Sequence, residues 1–307
     1  MTRLTSALCL FAAVCWTAGP AHAQKSEPRV VSLKSAADQL PLSGTYYAAD
    51  PSKITGGAKA AAVVIMLHGS KFDRLVWEKK PTVLGKPLAE VLNDEGFAVF
   101  TLDLRGHGES PLPGGRALRN NDYAAMLGDV EAAKRFLMEE HEAGRLNINK
   151  LGIIAADESV PVALNYAAAD WQKPDYDDSP TPAGRTPRGR DVRALVLFSP
   201  DSSAGQLRSL TGVRFTRNPD LKIATLVAYS EEDPQDDGLS ERIGKQLRAD
   251  DSPDDEYFVM KYPGRFRGTD LVGDKNLRAE VHAVNFLKKF LGELDSEWVT
   301  RKSRLVR

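Results

Sequence analysis

Three apolar runs, each closed by a tight turn, constrain this 307-residue chain more than any other feature. They are AAVVIMLHGS at 61 to 70, GFAVFTLDLRGHGES at 96 to 110 and LGIIAADESVPVAL at 151 to 164. A strand with one wet face alternates apolar and polar residues, so uninterrupted runs of this length read as strands buried on both faces. Helical spacing fills the intervals. A helix is expected over 86 to 95, with Pro87 near its start, where a missing N–H costs little. A longer one is expected over 122 to 143, with Tyr123, Met126, Leu127, Val130, Ala133 and Leu137 on one face and Gly144 as its stop. Further strands are expected at 192 to 198, 223 to 229 and 257 to 262, with helices at 160 to 170 and 277 to 291. Such alternation predicts a largely parallel sheet with helices on both faces.

The turns carry a resemblance. His68-Gly69 after the first strand, and Asp103, Arg105, Gly106, His107, Gly108 and Ser110 after the second, match the turns of the α/β-hydrolase superfamily. The chain resembles its serine-aminopeptidase-like and esterase-like branch over roughly residues 29 to 292. The resemblance implies a central sheet of about eight strands, with an antiparallel edge from the segments near 30 to 33 and 42 to 48. Only about twenty residues separate the strands at 192 to 198 and 223 to 229, which leaves no room for a cap domain there. Residues 171 to 190, rich in Pro, Asp, Gly and Arg, read as a surface excursion.

Composition adds little that is specific. Hydrophobic residues make up 42% and charged residues 27%, ordinary for one globular domain. The formal net charge is −1, or −2 once residues 1–23 and their single charged residue, Arg3, are set aside. Neither nucleic acid nor an anionic membrane is implied as a partner. Arg3, the apolar stretch from Leu8 to Trp16 and the Ala21-His22-Ala23 site read as a secretory signal. The stretch is shorter than the ~20 apolar residues of a membrane span, so no stable span is expected after cleavage. The expected organisation is a signal over 1–23, one domain over 24–292 and a basic tail over 293–307, with export to the periplasm or the extracellular space. Cys9 and Cys15 both fall inside the signal, which leaves the mature chain without a thiol for a disulfide or a thiolate metal site.

The resemblance also says where chemistry would sit. Its elbow, GxSxG, needs a strand, a sharp turn bearing the nucleophile and a helix. Here the elbow reads Ala155, Ala156, Asp157, Glu158 and Ser159, so Asp157 stands in the nucleophile's slot. Asp233 matches the triad acid; the alternative, that residues 231 to 237 form a solvated acidic loop, stays open. Arg267 stands where the base would be, and a guanidinium cannot accept a proton. His68, Gly69, Ser70 and Glu158 match the oxyanion loop. His68 and His107 read as turn residues, His141 as a solvated residue near a helix end, and His282 as a helix-surface or core residue. Ser159 reads as a helix N-cap. An aspartate-nucleophile mechanism would need a histidine-activated water to release its ester, and Arg267 cannot supply one.

The expectation is therefore a non-catalytic exported member of the fold, in which Arg267 lies between Asp157 and Asp233 and the module binds a small ligand or an extracellular partner. The alternative is a secreted esterase or peptidase-like hydrolase with rearranged active residues. No cofactor or metal site is called for. The acidic stretch 250 to 256 lacks EF-hand spacing and reads as a solvated turn. Trp77 is a candidate to line the cleft, and the tail with Arg301, Lys302, Arg304 and Arg307 reads as frayed and solvated.

Overall fold

A computed structural model describes residues 27–248 and 256–305. The expected signal and most of the acidic stretch near 250 lie outside the described residues.

Eight strands build one sheet. They are β1 (Arg29–Lys34), β2 (Pro41–Tyr47), β3 (Val63–Leu67), β4 (Ala98–Leu102), β5 (Leu151–Ala156), β6 (Val192–Phe198) and, after the two-residue hairpin strands β7 (Ser203–Ala204) and β8 (Leu207–Arg208), β9 (Ala224–Ser230) and β10 (Tyr257–Tyr262). Their spatial order is β1-β2-β4-β3-β5-β6-β9-β10. β1 and β2 are antiparallel, as are β2 and β4, and every later pairing is parallel. The apolar runs explain this layout. Along β3, Val63, Ile65 and Leu67 enter one core while Val64 and Met66 enter the other, and all five are fully buried. The period-two alternation of a strand thus places apolar atoms on both faces at once.

Helices cover those faces. Following α1 (Leu75–Lys79), α2 (Leu88–Asp94) and α7 (Ala279–Leu287) contribute to the core that holds Met66. α3 (Asn120–Glu142) and α4 (Ser159–Trp171) contribute to the other, which also holds residues of α5 (Ser209–Thr216) and α6 (Leu239–Leu247). α3 starts two residues before the expected position, and the Asp122 carboxylate accepts the Arg119 N–H at 2.7 Å, closing one orphan donor of the first turn. The last helix starts later than expected because Arg278 takes a left-handed φ of 52°, and beyond Leu287 it loosens into a single π-type turn, Lys288–Gly292. Between β6 and β9 lie the small hairpin and α5, with no cap domain. Among the described residues no helix is long and apolar enough to cross a membrane.

Three expectations need correction here. The tail is not frayed at Arg301, which is only 5% exposed: it pairs with Asp191 and donates to the carbonyls of Pro187 (3.0 Å) and Gly189 (2.9 Å). Asp191 is itself buried, and a buried carboxylate needs counter-charge more than a basic side chain needs water. His141 is not solvated. The returning tail covers it: Trp298 Nε1 donates to the His141 carbonyl at 3.1 Å, and the imidazole faces Val299 O at 2.8 Å. Trp77 does not line a cleft; it packs in the core, 6.3 Å from the ring of Phe198.

Candidate functional site

The parallel strands end together at one edge, and the loops after β3, β5, β6, β9 and β10 supply the site. This is where open α/β sheets place their ligands. β5 runs into Asp157, whose φ of 52° turns the chain sharply before α4 begins at Ser159. Aspartate tolerates this left-handed region better than most residues. The turn is pinned from its neighbour: Asp157 N donates to Phe198 O at 2.9 Å, and Asp201 N donates to Asp157 O at 3.3 Å. The carboxylate then lies between two glycines. A Cβ added at Gly69 or at Gly268 would overlap Asp157 Oδ2, so both positions must stay bare for this side chain to fit.

Arg267 follows β10 and reaches three carboxylates. Its Nη1 donates to Asp233 Oδ2 at 2.6 Å, its Nη2 donates to Asp201, and its Nε lies 3.3 Å from Asp157 Oδ1. That last contact is off the N–H direction, which leaves Asp157 Oδ1 buried with charge pairing and no hydrogen bond. Asp233, fully buried at its side chain, is fixed in turn by the N–H of Gln235 at 3.0 Å. Asp157, Asp233 and Arg267 thus come together, and a third carboxylate, Asp201, joins them. Sequence reasoning missed Asp201. Its only signal was position, a carboxylate shortly past the end of a buried parallel strand.

One cation facing three carboxylates leaves the cluster short of positive charge. Burial, assisted by Asp201, Asp233 and Asp270, outweighs Arg267 and pushes Asp157 up to about 7. Asp201 is raised as well, first by burial and then by Asp233. Among the described residues, no group of three or more His, Cys, Asp or Glu side chains is arranged to hold a metal ion, and the guanidinium fills the space between these acids.

The residues whose sequence matches the oxyanion loop surround very little space. His68, Gly69, Ser70 and Glu158 line a cavity of about 10 Å³, at the lower limit for one water. His68 is buried; its Nδ1–H donates to Gly69 O at 2.8 Å and its Nε2 accepts from Leu104 N at 3.2 Å. Burial pushes its pKa down to about 4, which suits this neutral tautomer, and the ring acts as a turn pin. The His107 ring nitrogens face the carbonyls of Ser70 (3.0 Å) and Arg105 (3.1 Å), tying the glycine-rich turn to the same loop. His282 is engaged by the Tyr262 hydroxyl at 2.8 Å. Glu158 is raised by burial, with Tyr123 hydrogen-bonded to it. Ser159 is not the N-cap that its sequence context suggested; Glu158 holds that place. The Ser159 hydroxyl instead accepts from Ala156 N at 3.0 Å and reaches the carbonyls of Ala156 and Leu67, because it is drawn under the turn and away from water.

The arrangement can therefore hold loops together and present carboxylates. At Arg267's place it presents a guanidinium already engaged by Asp201 and Asp233.

Residues 58–149 match the family described as "Serine aminopeptidase, S33". Among solved structures, a puromycin-hydrolyzing peptidase of Mycobacterium tuberculosis is 15% identical with a TM-score of 0.62, covering 87% of this chain and 40% of that one. An esterase of Pyrococcus furiosus is 14% identical with a TM-score of 0.58 over 86% and 91% of the two chains. A cold-adapted esterase from an Arctic intertidal metagenomic library is 17% identical with a TM-score of 0.54 over 86% and 94%. No curated protein matches the chain in sequence. At these identities the likeness establishes the α/β-hydrolase fold and leaves the chemistry to the site.

Proposed function

We propose that this α/β-hydrolase-fold protein is an exported, non-catalytic binding or scaffolding module. One observation carries the reading: Arg267, where the resemblance puts a general base, commits its guanidinium to Asp201 and Asp233 and lies 3.3 Å from Asp157. Acyl transfer on this fold needs a group that takes a proton and later returns it, and a guanidinium holds its protons at every accessible pH. Export is supported by Arg3, the apolar stretch up to Trp16 and the small residues before Gln24.

Hydrolysis of short-chain nitrophenyl esters by residues 24–307 tests the main point, beside Asp157→Ala prepared identically. The expected result is background turnover in both and no serine labelled by a fluorophosphonate. Mass spectrometry of the exported chain tests the localisation: a mature protein beginning at Gln24 is expected, and a full-length mass in the cell would refute export.

A second reading, a secreted hydrolase with rearranged residues, draws on one feature. Asp157 keeps the sharp left-handed elbow, a conformation that costs energy and clusters at active sites. Turnover that disappears with Asp157→Ala would establish this reading and end the first.

A further inference from the structure

The end of the sheet opposite the cleft holds a second candidate site. β5 separates Lys150, just before its first residue, from Asp157, just after its last, by about 20 Å at the usual strand rise. Lys150 borders a cavity of about 350 Å³ beneath the starts of β3, β4 and β5, within the range of small-ligand sites.

Its charge is unmet. The residue is 5% exposed, and its ammonium donates to two neutral acceptors, Ala60 O at 3.3 Å and Gly292 O at 3.0 Å. No carboxylate of the described residues forms an ion pair with it. Other buried cations in the protein fare differently: Lys134 meets the carboxylates of Asp170 and Asp191, and Arg301 meets Asp191. A buried ammonium without an anion is costly, and burial accordingly lowers the Lys150 pKa, opposed only by the charge of Asp295. The other two lysines at this cavity are already occupied, Lys53 by Asp94 and Lys288 by Glu95. Lys150 is therefore the cation left for a ligand.

The surroundings select the anion. Ile54, Ala62 and Phe97 give the cavity apolar wall, which suits a hydrocarbon chain. A dianionic phosphate would find a single unpaired cation and would face Glu95 and Glu293, which also border the cavity. We propose that this cavity binds a small aliphatic monocarboxylate, its carboxylate on Lys150 and its chain against Ile54, Ala62 and Phe97.

Calorimetric titration with hexanoate tests this. One equivalent is expected to bind, with a Kd on the order of 0.1–1 mM for a ligand of this size. Lys150→Met should weaken binding at least tenfold. Because a substitution at a buried position can disturb folding, Thr55→Trp provides an independent arm: Thr55 is exposed at the cavity, and an indole there should also weaken hexanoate at least tenfold with Lys150 intact. Arg267→Ala, in the cleft, should leave the Kd unchanged, which separates this site from the one above. Inorganic phosphate and butylamine should bind at least tenfold more weakly than hexanoate. Absence of hexanoate binding, binding that survives Thr55→Trp or a folded Lys150→Met, or phosphate binding equal to hexanoate would each overturn the proposal.

Discussion

Two buried ion clusters in this protein use the same residue types to opposite effect. Behind the sheet, Lys134 lies between Asp170 and Asp191, with Arg301 on Asp191 and Lys173 on Asp170 at 3.0 Å. At the cleft, Arg267 alone faces Asp157, Asp201 and Asp233. The first cluster has cations to match its carboxylates. Burial pushes Asp170 up, but Lys134 and Lys173 overcome it and hold its pKa below the ordinary aspartate value. In the second, burial and like charge prevail and Asp157 goes up. Burial alone therefore does not set the direction; the ratio of cations to carboxylates does. A balanced cluster fastens chain to chain, here the tail to the core, whereas an unbalanced one keeps charge available to respond to pH or to a ligand.

Removing the shared anion of the balanced cluster should have the largest effect. Asp191→Ala leaves buried Arg301 without a carboxylate and Lys134 with Asp170 alone, and is expected to destabilise by about 3–5 kcal/mol in urea unfolding. A loss under about 1 kcal/mol would mean that the two clusters are alike in kind. The next effect belongs to the glycine that makes room for Asp157. Gly268→Ala adds a Cβ onto the carboxylate at a left-handed φ of 51° and should cost about 3 kcal/mol. Pairing it with Asp157→Ala should recover part of that cost, and strict additivity would show that the carboxylate is not the obstacle. Arg267→Ala comes third, at about 2 kcal/mol near pH 8 and less near pH 5, where Asp157 can take up a proton. Equal losses at both pH values would contradict the charge imbalance.

Much of this arrangement was legible before the structure. The strands β3 to β6 could be read because both faces of each are apolar, and the resemblance to α/β hydrolases singled out Asp157 and Arg267 at the places of the nucleophile and the base. Asp201 escaped because it lies in a turn-like run, Ser199-Pro200-Asp201-Ser202-Ser203, where no local pattern separates a solvated loop from a partner of Arg267. His141, beside Glu139, Glu140 and Glu142, and Arg301, in a basic tail, both looked solvated for the same reason. Their burial depends on contacts more than a hundred residues apart in sequence, Val299 for one and Asp191 for the other. Local composition reports propensity for water, while hydrogen-bonding and charged partners elsewhere in the chain decide which polar residues are drawn inside.

The smallest expected effect is also the most specific to the unbalanced cluster. An unfolded aspartate ionises near pH 4, whereas folded Asp157 does so at about 7, so between those values the folded state holds the extra proton. Its stabilising contribution is complete below about pH 4 and is lost as pH rises toward 7. Asp157→Asn removes that titration while keeping the planar shape between Gly69 and Gly268, and asparagine accepts the left-handed φ. Relative to the parent, the variant should gain about 1–2 kcal/mol on going from pH 6 to pH 8, with a slope never above about 1.4 kcal/mol per pH unit and a plateau beyond the Asp157 titration. Urea unfolding of both proteins across that range measures the difference directly. Parallel curves would mean that Arg267 neutralises Asp157 fully, which would make the cleft cluster as balanced as the one behind the sheet and remove the basis for treating it as a site.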